Sequence, residues 1–282
     1  MTARRPAGWL APGPAPAGAQ GRAELAPAAD EDLSYLTGDW RLFQKRRGHR
    51  WSLDDLLTAW VATEGRDPTR PLRALDLGCG QGSVLLMVAW RLPRADVTGI
   101  EAQADRAALG RRSIAYDGCA ERCRIVDGDL RTDAAALGGG FDLVTGTPPY
   151  FPRGTGVESA QPHAAPCRFE LRGGVEDYLA AAAAAVAPTG AVVVCTSTLE
   201  RARVTAGAAA AGLHVRAHWE IVPRDGKPPL IAIDALTPAA GSRADHQLTV
   251  RDRAGAWTPA FRAVRAAMGM PDTPPTPPGE PR

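Results

Sequence analysis

The stretch Arg73-Ala-Leu-Asp-Leu-Gly-Cys-Gly-Gln-Gly82 constrains the fold of this chain more than any other. Leu72, Ala74, Leu75 and Leu77 form an apolar run, glycines follow at 78, 80 and 82, and a second apolar run, Val84 to Trp90, begins at once. A buried strand, a tight turn and a helix are the expected elements, with free helix N–H groups facing any ligand bound there. Gly78 and Gly80 let the backbone take positive φ and approach a ligand closely. Ser83 stands where a dinucleotide fingerprint has its third glycine, and Asp76 completes a D-x-G-x-G-x-G pattern.

From residue 72 onward, strand-like and helix-like segments alternate, which predicts a parallel sheet with helices on both faces. Ligands of such sheets sit beyond the carboxyl ends of the strands. Glu101 closes the strand at 95–100 and is placed to accept both hydroxyls of a ribose. Asp129 and Leu130 follow the strand at 123–127, where the carboxylate is expected to accept from an adenine amino group. The strand at 141–146 runs into Thr147-Pro-Pro-Tyr150. Pro148 and Pro149 lack N–H groups and stiffen the turn, leaving the Thr147 and Pro148 carbonyls as acceptors. Tyr150 and Phe151 offer flat faces for a planar group to stack on.

A net charge of +2 over 282 residues supplies no global attraction for nucleic acid, so an RNA surface would have to be local. Residues 41–50 hold five Lys/Arg ahead of the helical run Trp51 to Trp60, for which Ser52 or Asp54 is the expected N-cap. Lys45, Arg46, Arg47 and Arg50 form either a solvated turn or a phosphate-contacting patch. The five cysteines have no CxxC pairing, so neither zinc nor any other metal site is expected, and the compartment they suit is the reducing cytoplasm. No apolar run is long enough for a membrane span. His214 and His218 share a strand face and are expected at the surface. Residues 1–32, rich in Ala and Pro, and the proline-rich 269–282 are expected to be disordered, flanking one domain at 33–268.

Together these features resemble class I S-adenosylmethionine (SAM) methyltransferases of the N-P-P-Y type. The nearer resemblance, over about residues 40–265, is to the TrmN (YfiC-like) tRNA(Val) adenine-N(6) methyltransferases. Besides the glycine turn and the P-P-Y-F run, it rests on Gln44 with the run Trp51 to Leu57, Glu101, Asp129, Arg168-x-Glu170, and Leu248 to Thr258. The resemblance implies a Rossmann-like, three-layer α/β/α fold with a seven-stranded, mostly parallel sheet whose last strand is antiparallel. It implies SAM as cofactor, with Asp76, Gly78, Cys79, Gly80 and Gly82 at its amino-acid end, Glu101 at the ribose, Asp129 and Leu130 at the adenine, and Thr147 alongside. Thr147, Pro148, Pro149 and Tyr150 would carry the transfer, and Lys45, Arg46, Arg47, Arg50, Phe151 and Arg168 would meet an RNA substrate, in the family a tRNA. The implied activity is methyl transfer to an exocyclic adenine nitrogen by a monomer. Thr147 stands where the family pattern has Asn, and a protein amide or a small molecule is the alternative acceptor.

Overall fold

The computed structural model describes residues 6, 8–150, 170 and 172–272. Ahead of the glycine turn lie a hairpin, β1 (Glu31–Tyr35) and β2 (Arg41–Lys45), and the helix α1 (Leu53–Thr63). The turn itself joins β3 (Leu72–Leu77) to α2 (Ser83–Arg91). The alternation continues through β4 (Ala95–Glu101), α3 (Ala104–Asp117), β5 (Cys123–Asp127), the single turn α4 (Leu130–Asp133) and β6 (Phe141–Gly146). Beyond come α5 (Val175–Ala185), β7 (Val186–Ser197), α6 (Arg201–Ala210), β8 (His214–Val222), β9 (Ile231–Thr237), β10 (Ala244–Thr249) and α7 (Pro259–Ala267).

The main sheet runs β10-β8-β9-β7-β6-β3-β4-β5. Strands buried on both faces need apolar residues pointing both ways rather than at alternate positions only, and β3, β6 and β7 have them: Ala74, Leu143 and Val193 are buried on one face, Leu75, Val144 and Val192 on the other. One face packs on α1, α2, α3 and α7 through residues such as Leu57, Leu85, Ile114 and Phe261. The other packs on α4, α5 and α6 through Leu130, Leu179 and Val204.

Two features differ from expectation. The sheet has eight strands, not seven, because β10 adds to the edge in parallel with β8. The antiparallel strand is therefore β9, paired with β7 and β8, and it is not the last. His218 is also buried, 4% exposed, with Nδ1 2.7 Å from the Asp234 carboxylate of the neighbouring strand. A strand face alone does not reveal that partner.

The Ala/Pro-rich leader departs further. Among residues 8–30, the Gly18 N–H donates to the Tyr116 carbonyl, and the Arg112 guanidinium donates to the carbonyls of Glu24 and Ala26. Leu25 is 2% exposed. The expected disorder through residue 32 does not extend to these positions, because helix α3 supplies the Tyr116 carbonyl and the Arg112 guanidinium as partners to a segment that has little core of its own. The other end closes on the same corner. The Thr37 hydroxyl donates to the Met268 carbonyl at 2.7 Å, the Gly38 N–H to the Gly269 carbonyl at 3.0 Å, and Arg91 to the Ala267 carbonyl. A Cβ at Gly13, Gly38 or Gly269 would collide with the Trp90 indole, so both ends of the described chain lie against that one ring. Among the described residues, no helix is long and apolar enough to cross a membrane.

Candidate active site

The backbone of the glycine turn takes φ of +59° at Gly78 and +85° at Gly82, a region that side chains disfavour. A Cβ at Gly78 would also strike the Tyr178 hydroxyl from α5. Gly82, the N-cap of α2, has no side chain to accept from the helix's first N–H groups. Asp76 does so from below. Its Oδ2 accepts from the Leu85 N–H at 3.2 Å, and its Oδ1 from the Thr145 hydroxyl at 2.7 Å. Burial pushes its carboxyl up to about 7.

Beyond the carboxyl ends of β3, β4 and β6 lies an open cleft of ≈ 780 Å³. It collects Gly78, Cys79, Gly80, Glu101, Asp129, Leu130 and Thr147, the cofactor residues expected from the sequence, together with Pro149. Glu101 fixes the turn as well as facing the cleft: Oε2 accepts from the Gly80 N–H at 2.8 Å and Oε1 from the Gln103 N–H at 2.7 Å. A carboxylate offers about four acceptor positions, so two remain for adjacent hydroxyls. Asp129 is engaged by its neighbour, accepting from Arg131 through the backbone N–H, Nε and Nη2. That ion pair holds its carboxyl below the usual range.

Several expected roles do not survive the geometry. Asp76 and Gly82 do not line the cleft; Asp76 is 3% exposed and committed to Leu85 and Thr145. Tyr150 is not a stacking wall, because its hydroxyl donates to Asp54 Oδ2 at 2.5 Å and its ring packs on the core. Pro148 is buried, while Thr147 and Pro149 face the cleft. The basic cluster serves mainly as a brace. Lys45 pairs with Asp30 and Glu31, Arg46 Nε donates to the Glu31 carbonyl, and Arg50 pairs with Asp32. Arg47 is exposed and has no ionic partner among the described residues. Phe151 and Arg168 lie outside the described residues.

Other residues that form the cleft were given no role from the sequence. His49 and Trp51 border it, as do Asp55 and Ser83, whose side chains meet at 3.0 Å, and Arg106, Arg172 and Tyr178. Asp55 also accepts from the Ser52 N–H at 2.8 Å, and burial pushes it up to about 6. Trp51 and Asp55 lie in the run Trp51 to Leu57 that carries part of the resemblance, whereas the only signal for His49 was its place in the basic stretch just before that helix.

Residues 74–153 match the family described as "Methyltransferase domain". An Escherichia fergusonii tRNA1(Val) (adenine(37)-N6)-methyltransferase is 26% identical over 76% of this chain and 84% of its own length. A release factor glutamine methyltransferase from Chlorobaculum tepidum is 38% identical, but only over 33% of this chain and 32% of its own. A solved Agrobacterium tumefaciens structure described as "a predicted O-methyltransferase" superposes with a TM-score of 0.59 at 22% identity, covering 78% of this chain and 98% of that one. The likeness is one of fold.

The chain is a class I, SAM-dependent methyltransferase. The cleft of this methyltransferase suits its cofactor on chemical grounds: Glu101 has acceptor positions for ribose hydroxyls, and the lining carries both carboxylates (Asp55, Glu101, Asp129) and guanidinium groups (Arg106, Arg172) for a ligand that bears both signs of charge. Gly78, Cys79 and Gly80 would hold the amino-acid end of such a ligand, where the backbone is bare of Cβ atoms except at Cys79.

Proposed function

We propose that this methyltransferase modifies an exocyclic adenine nitrogen in RNA, a tRNA being the substrate, in the cytoplasm. One observation carries the reading: the glycine turn and Glu101 share a single cleft with Thr147 and Pro149 of the T-P-P-Y turn. The likeness over three quarters of the chain to the E. fergusonii tRNA1(Val) adenine-N6 enzyme supports the choice of acceptor.

Bound SAM supplies an electrophilic methyl group on sulfur. The protein's part is to position an amine and accept its N–H bonds. The Thr147 hydroxyl can take one N–H bond and the Pro148 carbonyl another, which draws the nitrogen lone pair out of conjugation with the ring. Thr147 is shorter than the Asn of the N-P-P-Y pattern, so its hydroxyl requires the amine to come closer to the turn. No strong general base is needed, and catalysis rests on orientation and hydrogen bonding. Arg47 and the cleft-lining Arg172 are exposed cations available to an anionic substrate, whereas Arg106 is buried against the glycine turn and Lys45 and Arg50 are spent on the hairpin.

The test is transfer of tritiated methyl from SAM to separated RNA, protein and small-molecule fractions. Label in tRNA that digests to N6-methyladenosine is the expected result. Label confined to protein would overturn the choice of acceptor and leave the methyltransferase assignment intact.

A further inference from the structure

The T-P-P-Y turn has an unusual anchoring problem. Its two prolines have no N–H to tie the turn to neighbouring backbone, yet Thr147 must be held still against the cleft. The anchor is the Tyr150 hydroxyl, which donates to Asp54 Oδ2 at 2.5 Å and lies 3.2 Å from Cys195 Sγ on β7. With the tyrosine proton given to Asp54, the thiol is placed to donate to the same oxygen. Asp54 sits in the first turn of α1, and its neighbour Asp55 accepts from Ser83 at the start of α2. One helical turn therefore grips the transfer turn with one carboxylate and the helix of the glycine turn with the next. Asp54 does not line the cleft, and Asp55 does.

We infer that Asp54 is a positioning residue for methyl transfer, acting through Tyr150 to fix Thr147 and Pro148 relative to the cofactor cleft. The inference rests on the T-P-P-Y turn being the transfer site. A displacement of about 1 Å in a reacting geometry costs about 100-fold in rate, so freeing the anchor lowers turnover without removing any cofactor contact.

The experiment compares wild type with Asp54→Ala, Asp54→Asn and Tyr150→Phe. It reads SAM affinity by calorimetry, turnover by methyl transfer to tRNA, and hydrogen exchange of the 145–150 and 78–90 segments. Expected for Asp54→Ala and Tyr150→Phe are SAM affinity within about threefold of wild type, kcat lowered about 10- to 100-fold, and faster exchange at Thr147 and Tyr150 only. Asp54→Asn, which keeps an acceptor oxygen, restores most of the turnover, and the Asp54→Ala/Tyr150→Phe double variant is no worse than either single. Full turnover in Tyr150→Phe, or lower thermal stability with unchanged kcat and unchanged exchange at 145–150, overturns the inference. If wild type transfers no methyl to RNA, the acceptor reading falls, and exchange at Thr147 and Tyr150 still decides the anchor.

Discussion

Replacing Asp76 by asparagine separates a buried, proton-binding carboxyl beneath the glycine turn from one that touches the ligand. In the structure the carboxylate is sealed beneath the turn, accepting from Leu85 and Thr145, and burial raises it to about 7. An unfolded aspartate titrates near pH 4. Between roughly pH 4 and 7 the folded protein therefore binds one more proton at this site than the unfolded chain, and stability falls as pH rises. The slope is about 1.4 kcal/mol per pH unit, or about 3 kcal/mol between pH 5 and 7. Asparagine removes this contribution. Its oxygen accepts from Leu85, and its amide faces the Thr145 hydroxyl, which turns to accept. Urea unfolding of the apoprotein at pH 5, 6, 7 and 8 should show a flatter stability profile for Asp76→Asn, which becomes the more stable protein above pH 7. Its SAM affinity should stay within about tenfold of wild type, since no atom of Asp76 lines the cleft and one lost hydrogen bond is worth about 1 kcal/mol. An unchanged pH profile would refute the buried, proton-binding Asp76. Loss of SAM binding with stability intact would restore the direct contact expected from the motif.

Glu101→Ala should weaken SAM by about 100-fold or more in calorimetry, because two charge-assisted hydrogen bonds of about 1.5–3 kcal/mol each are lost; it also lowers Tm, since Gly80 and Gln103 lose their acceptor. Thr147→Asn should raise kcat on an adenine-bearing tRNA about tenfold by lengthening the acceptor, measured with labelled SAM; a fall would mean that the site is shaped for another amine. Glu31→Ala, which leaves Lys45 with Asp30 and Arg112 with the Glu24 and Ala26 carbonyls, should cost about 1–2 kcal/mol in urea unfolding and open residues 18–30 to protease, read by mass spectrometry of the fragments.

The order of strands and helices was legible because buried parallel strands need mostly apolar runs, as at 191–195 and, around Arg73 and Asp76, at 72–77. Glu101 was legible as well: an acid at the end of the second strand after a glycine turn can only project toward the cleft. Direction of side chains was not. Asp76 and Tyr150 are motif residues whose polar ends turn inward, because α2 lacked a capping side chain and the T-P-P-Y turn lacked N–H anchors. Neither need is visible until the helix and the turn are packed. The basic cluster at 45–50 misled for a related reason. Its partners, Asp30, Glu31 and Asp32, straddle the end of a segment whose composition alone predicts disorder. His218 likewise gains its meaning from Asp234, sixteen residues away and brought alongside by pairing of β8 with β9.

The corner at Trp90 has a consequence for how the protein is made. Met268 and Gly269 receive hydrogen bonds from Thr37 and Gly38 and close on a ring that Gly13 also touches. A chain emerging from the ribosome can assemble the glycine turn early, since β3 to β4 are near neighbours in sequence. Its hairpin end has no carbonyl partners there until Met268 and Gly269 are synthesised. The nascent methyltransferase would thus hold residues 37–38 unlatched until α7 and the turn after it are made, and that turn would then act as the bolt between the hairpin and the Trp90 corner.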